Sequence, residues 1–482
     1  MRKSILVISI LILSICCFSQ KKKNSKNELK QTLDKYLQQT IQENEIPGLA
    51  IGIVQDGKII FEEYYGKETL EENNTINKNT LFRIYSTSKL ISTVGVFQLI
   101  EKRKLSLEDE ISKYIENLPK DWQKVKIKNL LSHSSGIPNI IRFDDILVTA
   151  TDNEKIERLS KEKMEFEVGN QFSYNQTNYW LLTMIIERIT GQTFEDYIFK
   201  NQFSKSDKGL LFSSNSLEKI SNRVVKYNYN AKIKKYEKTF ENSGLRAHSG
   251  NGVNITLQTF LNWSNELDKN IFLNSKTKKS MWKPFNFNNK KSIFGYGWDF
   301  TKVNNKDSYG FSGGNVSAYR KFEDSKMSII VLSNGYKFFP VQDQIINHIA
   351  GLVDKNLIDK YLLSRELIIS EFLKNDNSNA EKKYYDLKSK NKEWDFESTL
   401  NSIGYTLIGN DRLIDAIKVF ELNTKENPNS GNAFDSLAES YFLNKNNVLA
   451  LEKYKKSYEL DPKNTNAKEM IDKIEQLVKE KK

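Results

Sequence analysis

Apolar positions crowd most densely just after Ser86. Leu90, Ile91, Val94, Val96, Phe97, Leu99 and Ile100 leave no polar stripe wide enough for a solvent face. The spacing predicts a helix apolar around most of its circumference, and therefore buried. Upstream, residues 20 to about 45 read as a polar helix broken by Pro47-Gly48. Residues 49–54 and 58–61 flank Gln55-Asp56-Gly57, a strand–turn–strand signal with Asp-Gly at its tip. Residues 125–131 predict a short helix ending in the Ser/Gly/Pro loop 132–138. A second apolar helix spans 180–189 and closes at Gly191. Residues 294–298, 309–322 and 327–332 read as strands joined by turns. Early strands, a helical middle and late strands predict an α+β domain whose sheet is completed by distant parts of the chain. Its end falls near residue 355.

Beyond that point helical patterning takes over and repeats every 34 residues, the tetratricopeptide period. Leu400 pairs with Phe434, Ile403 with Leu437, Gly404 with Ala438 and Leu407 with Tyr441. Ala416 pairs with Ala450, Phe420 with Tyr454 and Pro428 with Pro462. A chance helical hairpin would not reproduce small, aromatic and proline residues in that order. Two repeats are fewer than such arrays need for stability. The helices within 356–395 are therefore expected to cap the pair or dock it onto the first domain. The expected organisation is a leader over 1–19, an α+β domain over 20–355, a helical connector over 356–395 and two repeats over 396–482.

At 482 residues the chain exceeds one typical core, in keeping with that division. Met1-Arg2-Lys3, an apolar run from Ile5 to Cys17 and then Phe18-Ser19-Gln20 have the layout of a secretory signal peptide, cut after Ser19. The run is too short for a retained membrane span. Both cysteines, Cys16 and Cys17, fall inside it, so the mature chain would carry no thiol and no disulfide. Ile15 and Cys16 are poor residues to precede a lipidation cleavage, which ranks a lipid anchor below simple export to the periplasm or medium. The net charge of +12 comes from lysines spread among acids and asparagines, without a basic stripe interleaved by aromatics. Nucleic acid is not an expected partner.

Ser86 and Lys89 form a Ser-x-x-Lys. The spacing alone is weak, since Ser160/Lys163, Ser216/Lys219 and Ser275/Lys278 repeat it. The apolar helix behind Ser86 separates this copy from the others. A serine and a lysine three apart on a helix share a face. At the buried start of a core helix the lysine loses hydration, its pKa falls, and it can accept the serine proton near neutral pH.

Four ordered landmarks together resemble the serine hydrolases related to class C β-lactamases and penicillin-binding proteins. They are Phe82-Arg83-Ile84-Tyr85-Ser86-Thr87-Ser88-Lys89, Leu130-Leu131-Ser132-His133-Ser134-Ser135-Gly136, Ser173-Tyr174-Asn175-Gln176 within the 169–179 segment, and Phe311-Ser312-Gly313-Gly314. The resemblance covers about 30 to 350. It implies an antiparallel sheet flanked by helices with a helical subdomain, and an all-α module after it. It also implies Ser86 as nucleophile, with Lys89 and Tyr174 sharing the proton relay; the residues leave open which is the formal base. Backbone N–H groups of Ser86 and Gly314 would hold the oxyanion, roughly 3 Å away. Gln176, Phe311, Ser312 and Gly313 would line the oxyanion and substrate side.

Two departures stand out. Gln176 takes the place of the family's asparagine, keeping the amide and adding a methylene. Phe311 takes the place of a lysine or histidine that helps hold a substrate carboxylate. Recognition of β-lactams or D-alanyl peptides should weaken unless Arg320 or Lys321 reaches in, which favours esters, or amides without a nearby carboxylate. Of the three histidines, His133 and His248 are expected to be scaffold and His348 packing. Asp144-Asp145 and Glu108-Asp109-Glu110 read as solvated turns and helix starts, so no metal site or cofactor is expected. The reading is an exported serine hydrolase acting on a small ester, amide or peptide, with a protein partner for the repeats. The alternative is a non-catalytic binding module with a degenerate site.

Overall fold

The protein is described here by a computed structural model covering residues 27–204, 208–287, 294–374 and 377–479. The leader, with its cysteines and the export and anchor readings, lies outside the described residues.

The strand–turn–strand signal becomes β1 (Gly48–Gln55) and β2 (Lys58–Gly66), paired antiparallel. The turn between them places Asp56 at φ +49° and Gly57 at φ +74°, the left-handed pair that an Asp-Gly tip supplies. β1 is buried along nearly its whole length, as a central strand must be. Its other neighbour comes from the far end of the domain. The same sheet also holds β3 (Asp299–Val303), β4 (Lys306–Gly313), β5 (Ser317–Phe322) and β6 (Met327–Ser333). The sheet runs β2-β1-β6-β5-β4-β3, every pair antiparallel, with Ile51 opposite Val331 where the chain ends meet. The distant completion expected from the pattern is thus observed.

Helices cover the sheet. α1 spans residues 27–43, and its Tyr36 ring stacks 3.9 Å from His348 of a late helix, Gln342–Val353, giving that histidine its packing role. Leu261 of the helix Leu257–Asp268 fills the space over Gly52, where an added Cβ would come within 2.5 Å of it. The apolar helix becomes α2 (Ser88–Glu101), buried at every residue from Ser88 to Leu99. Residues 294–298 depart from expectation. They form a turn rather than a strand, with Gly297 at φ +75° and its N–H donating to Leu131 O at 2.9 Å, and the strand begins only at Asp299. A side chain at Gly297 would fall 2.0 Å from Thr93 Oγ1, so close approach to α2 overrides the apolar alternation.

The first compact unit ends at Ile358, three residues later than the pattern indicated, and a second contains the chain from Asp359 onward with Tyr229–Glu237 and Lys337–Phe339. In this second unit the connector is itself a helical hairpin, Lys360–Lys374 with Asn377–Lys390. Its Ile368, Phe372 and Tyr384 share one core with the repeat positions Leu400, Ile403, Leu407, Phe420, Leu437, Tyr441 and Tyr454. The two repeats are the hairpins Glu397–Gly409 with Leu413–Glu426 and Gly431–Leu443 with Asn447–Leu460. Thr465–Lys479 closes the stack. A first hairpin and a last helix thus supply the neighbours that two repeats lack.

The repeat's small position has a direct cause. A Cβ on Gly404 would lie 2.3 Å from the Phe420 ring, whereas Gly409 has nothing within 4 Å. Gly404→Val should destabilise this unit by about 1–3 kcal/mol, and Gly409→Ala should stabilise it by about 0.5–1 kcal/mol. Native-state hydrogen exchange across 397–460 in the full chain reads both; equal effects would contradict the packing.

Candidate active site

The Ser86 motif sits at a forced turn. Phe82 and Arg83 pair with Ile255 and Asn254, and the Ile84 N–H donates to Val253 O at 2.9 Å. Tyr85 then adopts φ +46°, a left-handed conformation that costs a non-glycine residue about 1–2 kcal/mol. The chain passes through a 3₁₀ turn, Tyr85–Thr87, into α2. The Tyr85 ring is flanked by the Arg83 guanidinium at 4.4 Å and Lys226 Nζ at 4.5 Å, contacts that favour an aromatic face. On its other side it meets Gly314, where a Cβ would fall 2.4 Å from the ring.

One turn on, Lys89 is fully buried. Its Nζ donates to Gly250 O at 2.8 Å and Gln176 Oε1 at 3.0 Å, and lies 3.5 Å from Ser86 Oγ. Loss of hydration holds its pKa well below the ordinary 10.5. A neutral amine has two N–H groups and one lone pair. With both N–H groups taken by Gly250 and Gln176, the lone pair is left for the Ser86 hydroxyl. The long separation is typical of catalytic hydrogen bonds without substrate. Gly250 is held there by its neighbour: Ser92 Oγ donates to Ser249 O at 2.6 Å, and Ser249 Oγ to Tyr179 O at 2.9 Å.

Tyr174, its ring 4.9 Å from Lys89 Nζ, donates to Ser86 Oγ at 2.7 Å. Burial pushes the phenol up to about 12, so at neutral pH it carries its proton. The segment is fixed by a buried histidine. Ser173 N–H donates to His133 O at 2.9 Å, Asn175 N–H to His133 Nδ1 at 3.2 Å, and the His133 ring packs 4.7 Å from the Tyr174 ring. Burial holds the His133 pKa well below 6.5. His133 is a neutral support for the tyrosine, as expected. His248 pairs with Glu195 Oε1 at 2.6 Å. It also is outside the Ser86 cluster.

β4 closes the remaining side. A Cβ on Gly313 would fall 2.2 Å from Ile84 O and 2.7 Å from Thr87 N, so only glycine lets the strand lie on the backbone beside Ser86. Gly314 (φ +55°) and Asn315 (φ +59°) are the central pair of the turn to β5, and Val316, whose N–H donates to Gly313 O at 3.0 Å, completes the three-residue loop. Strand alternation then sorts the neighbours. Phe311 faces the site, its ring 6.1 Å from the Tyr174 ring and 6.0 Å from Lys89 Nζ. Ser312 faces away, and its hydroxyl donates to Asp343 Oδ1 at 2.8 Å. The placing of the Ser312 side chain on the substrate side is thereby corrected, because period-two geometry sends it to the opposite face. The two cations named as substitutes are committed elsewhere. Arg320 pairs with Asp299 and Asp343, and Lys321 with Asp268 at 2.7 Å.

Ser86, Lys89, Tyr174 and Gln176 are thus brought together, with Phe311, Gly313 and Gly314 around them. Sequence reasoning missed two contributors. Gly250 acts through its carbonyl, which no residue type advertises. Tyr85 was given no role within the Phe82–Lys89 segment, and its left-handed backbone is visible only in the fold. Among the described residues no group of three histidine, cysteine or acidic side chains could hold a metal ion.

Comparison with known proteins decides the family. The Beta-lactamase family profile matches residues 33–350. The chain belongs to the Beta-lactamase family. Protein flp of Staphylococcus aureus (strain N315) is 28% identical over 178 residues, 36% of this chain and 36% of that protein, so the match spans about a third of that relative's length. Penicillin-binding protein 4* of Bacillus subtilis (strain 168) is 26% identical over 330 residues, 64% of this chain and 73% of that protein. Among solved structures, EstCE1, a hydrolase with promiscuous acyltransferase activity, superposes with a TM-score of 0.58 at 18% identity, covering 68% of this chain and 99% of its own. At that identity the likeness concerns the fold. This is a Beta-lactamase-family domain carrying a C-terminal run of helices.

The buried amine has a measurable signature. Between the depressed native pKa of Lys89 and its ordinary 10.5, the unfolded chain binds a proton that the native state does not, so stability rises with pH. The unfolding free energy of the wild type relative to Lys89→Met should therefore increase from about pH 7 to about pH 10. Urea titrations across that range check it. A flat or falling difference would mean that Lys89 is charged in the native protein.

Proposed function

We propose that this protein is an exported serine hydrolase that works through an acyl-enzyme on esters or amides, with its helical repeats serving as a protein-interaction module. The observation that carries the reading is the convergence on Ser86 Oγ of a neutral phenol at 2.7 Å and a buried amine at 3.5 Å. Lys89 takes the Ser86 proton as Oγ bonds to the substrate carbonyl. The oxyanion is met by backbone N–H groups of Ser86 and Gly314. Collapse breaks the bond to the leaving group, which takes a proton from the Tyr174 phenol, and the proton that Lys89 took from Ser86 replaces it. Water then adds to the acyl-serine by the reverse relay, releasing the acid and restoring the serine hydroxyl. In this scheme Lys89 is the base, because a phenol held near 12 gives up its proton less readily than a dehydrated ammonium.

Phe311 narrows the substrate. An aromatic ring occupies the position where the family places a cation, and Arg320 and Lys321 are paired away from it. A carboxylate next to the scissile bond therefore lacks its usual counter-charge. Esters, or amides without such a carboxylate, fit better than β-lactams. Acyl transfer is also in keeping with the fold shared with EstCE1, a hydrolase with promiscuous acyltransferase activity.

A fluorophosphonate probe should add once to the wild type by intact mass and not at all to Ser86→Ala. No adduct on the folded wild type would favour the non-catalytic binding reading. Lys89→Met and Tyr174→Phe should each lower kcat/KM on a short-chain p-nitrophenyl ester by about 10²–10⁴-fold. The wild type should hydrolyse that ester and turn over little nitrocefin. Phe311→Lys or Phe311→His should shift the ratio toward nitrocefin, and efficient nitrocefin turnover by the wild type would refute the role given to Phe311.

A further inference from the structure

A recess of about 350 Å³ opens beside the Ser86 cluster. It begins at Gln176 and Gly250, the two groups that hold the Lys89 amine. From there it runs between Trp180 and the apolar side chains of Ile140, Phe143 and Leu147. At its wall stands Lys155, on the short helix Asp152–Leu159 whose start is capped by Thr151.

Lys155 is only 7% exposed. Yet among the described residues its ammonium makes no hydrogen bond and no ion pair; the charges it feels are those of Asp152, Arg246 and Glu154. The nearest carboxylate is already used. Asp152 accepts from Trp180 Nε1 at 2.8 Å and is bridged by Arg246 at 2.6 Å, while Arg246 also pairs with Glu187. Holding an ammonium this far out of water without a counter-ion carries a cost. That cost falls when an anion is brought to it. Lys155 also borders a larger cavity of about 820 Å³, but carboxylates of Asp152, Glu187, Glu195 and Glu218 line that one and would repel an anion. The smaller recess has an apolar wall and a single acid, Asp144.

We propose that this recess receives the acyl portion of the substrate, an apolar chain ending in a carboxylate, with Lys155 as the specificity-determining group. The assignment rests on Ser86 being the nucleophile. The acyl group stays on Ser86 after the leaving group has gone, so it is the acyl portion that gains from a lined recess, whereas the leaving group needs an open exit. The carboxylate here is remote from the scissile bond, at the end of the chain, and so makes no demand on the position held by Phe311.

The test uses half-esters of p-nitrophenol with succinate, adipate and suberate, each against the neutral p-nitrophenyl alkanoate of equal carbon number. In the full-length wild type, kcat/KM for the half-ester should exceed that of its neutral partner by about tenfold or more at one chain length at least. Lys155→Met should bring the ratio to within about twofold of one, and Lys155→Arg should restore most of it. A wild-type ratio near one at every length, or a ratio unmoved by Lys155→Met, overturns the proposal while leaving Ser86 as nucleophile. Calorimetric titration of Ser86→Ala with the same intact half-esters separates the two readings. A Lys155-dependent binding preference without turnover by the wild type would uphold the recess and sink the catalytic reading.

Discussion

The site depends on keeping one amine dry. Lys89 lies at zero exposure inside the first turn of α2, surrounded by the Tyr174, Tyr179 and Phe311 rings. In such surroundings the charged form loses more hydration than its neighbours return, and the neutral form is favoured. Two carbonyl-type acceptors, Gly250 O and Gln176 Oε1, absorb its two N–H groups and turn the remaining lone pair toward Ser86. Other parts of the first unit serve this arrangement. α2 is buried around its whole girth because it must carry the lysine through the core. The 248–251 turn is tied between α2 and the helix Gln176–Thr190 because a single carbonyl must face the amine.

A second constraint is the alternation of β4. Its residues near Ser86 are divided strictly between the two faces of the sheet, so one residue type at Phe311 sets the chemistry of the cleft while Ser312 belongs to a separate network with Asp343 and Arg320. That network neutralises the buried Arg320 on the far side. It also explains why the loss of a cation at the Phe311 position has no repair from the adjacent strand. The cleft is therefore apolar on the β4 side, and Lys155, on a different element, lines the recess that Gln176 and Gly250 also line.

The second unit follows an independent logic. Its core is built from recurring small-and-aromatic contacts, such as Phe420 seated where Gly404 has no side chain. A hairpin and a terminal helix of different sequence flank the two matching hairpins and bury their outer faces. The 34-residue period is legible because each repeat meets its neighbours in the same way. The flanking helices break the period because each has a neighbour on one side only.

Local regularity was what the chain revealed by itself. The β1–β2 turn, the buried α2, the Gly191-capped helix and the repeats all rest on contacts between residues near in sequence or on a fixed period. The order of the four motifs was enough to mark Ser86, Lys89, Tyr174 and Gly313-Gly314 as one site. What tertiary structure alone decided were questions of facing and partnership. It turned residues 294–298 into a turn because α2 approaches too closely for a side chain at Gly297. It sent Ser312 away from the cleft and committed Arg320 and Lys321 to distant acids. It recruited the Gly250 carbonyl and left Lys155 without a partner. Each of these depends on which distant atoms fill a given few ångströms of space, and residue identity along a chain does not encode that until the chain has folded.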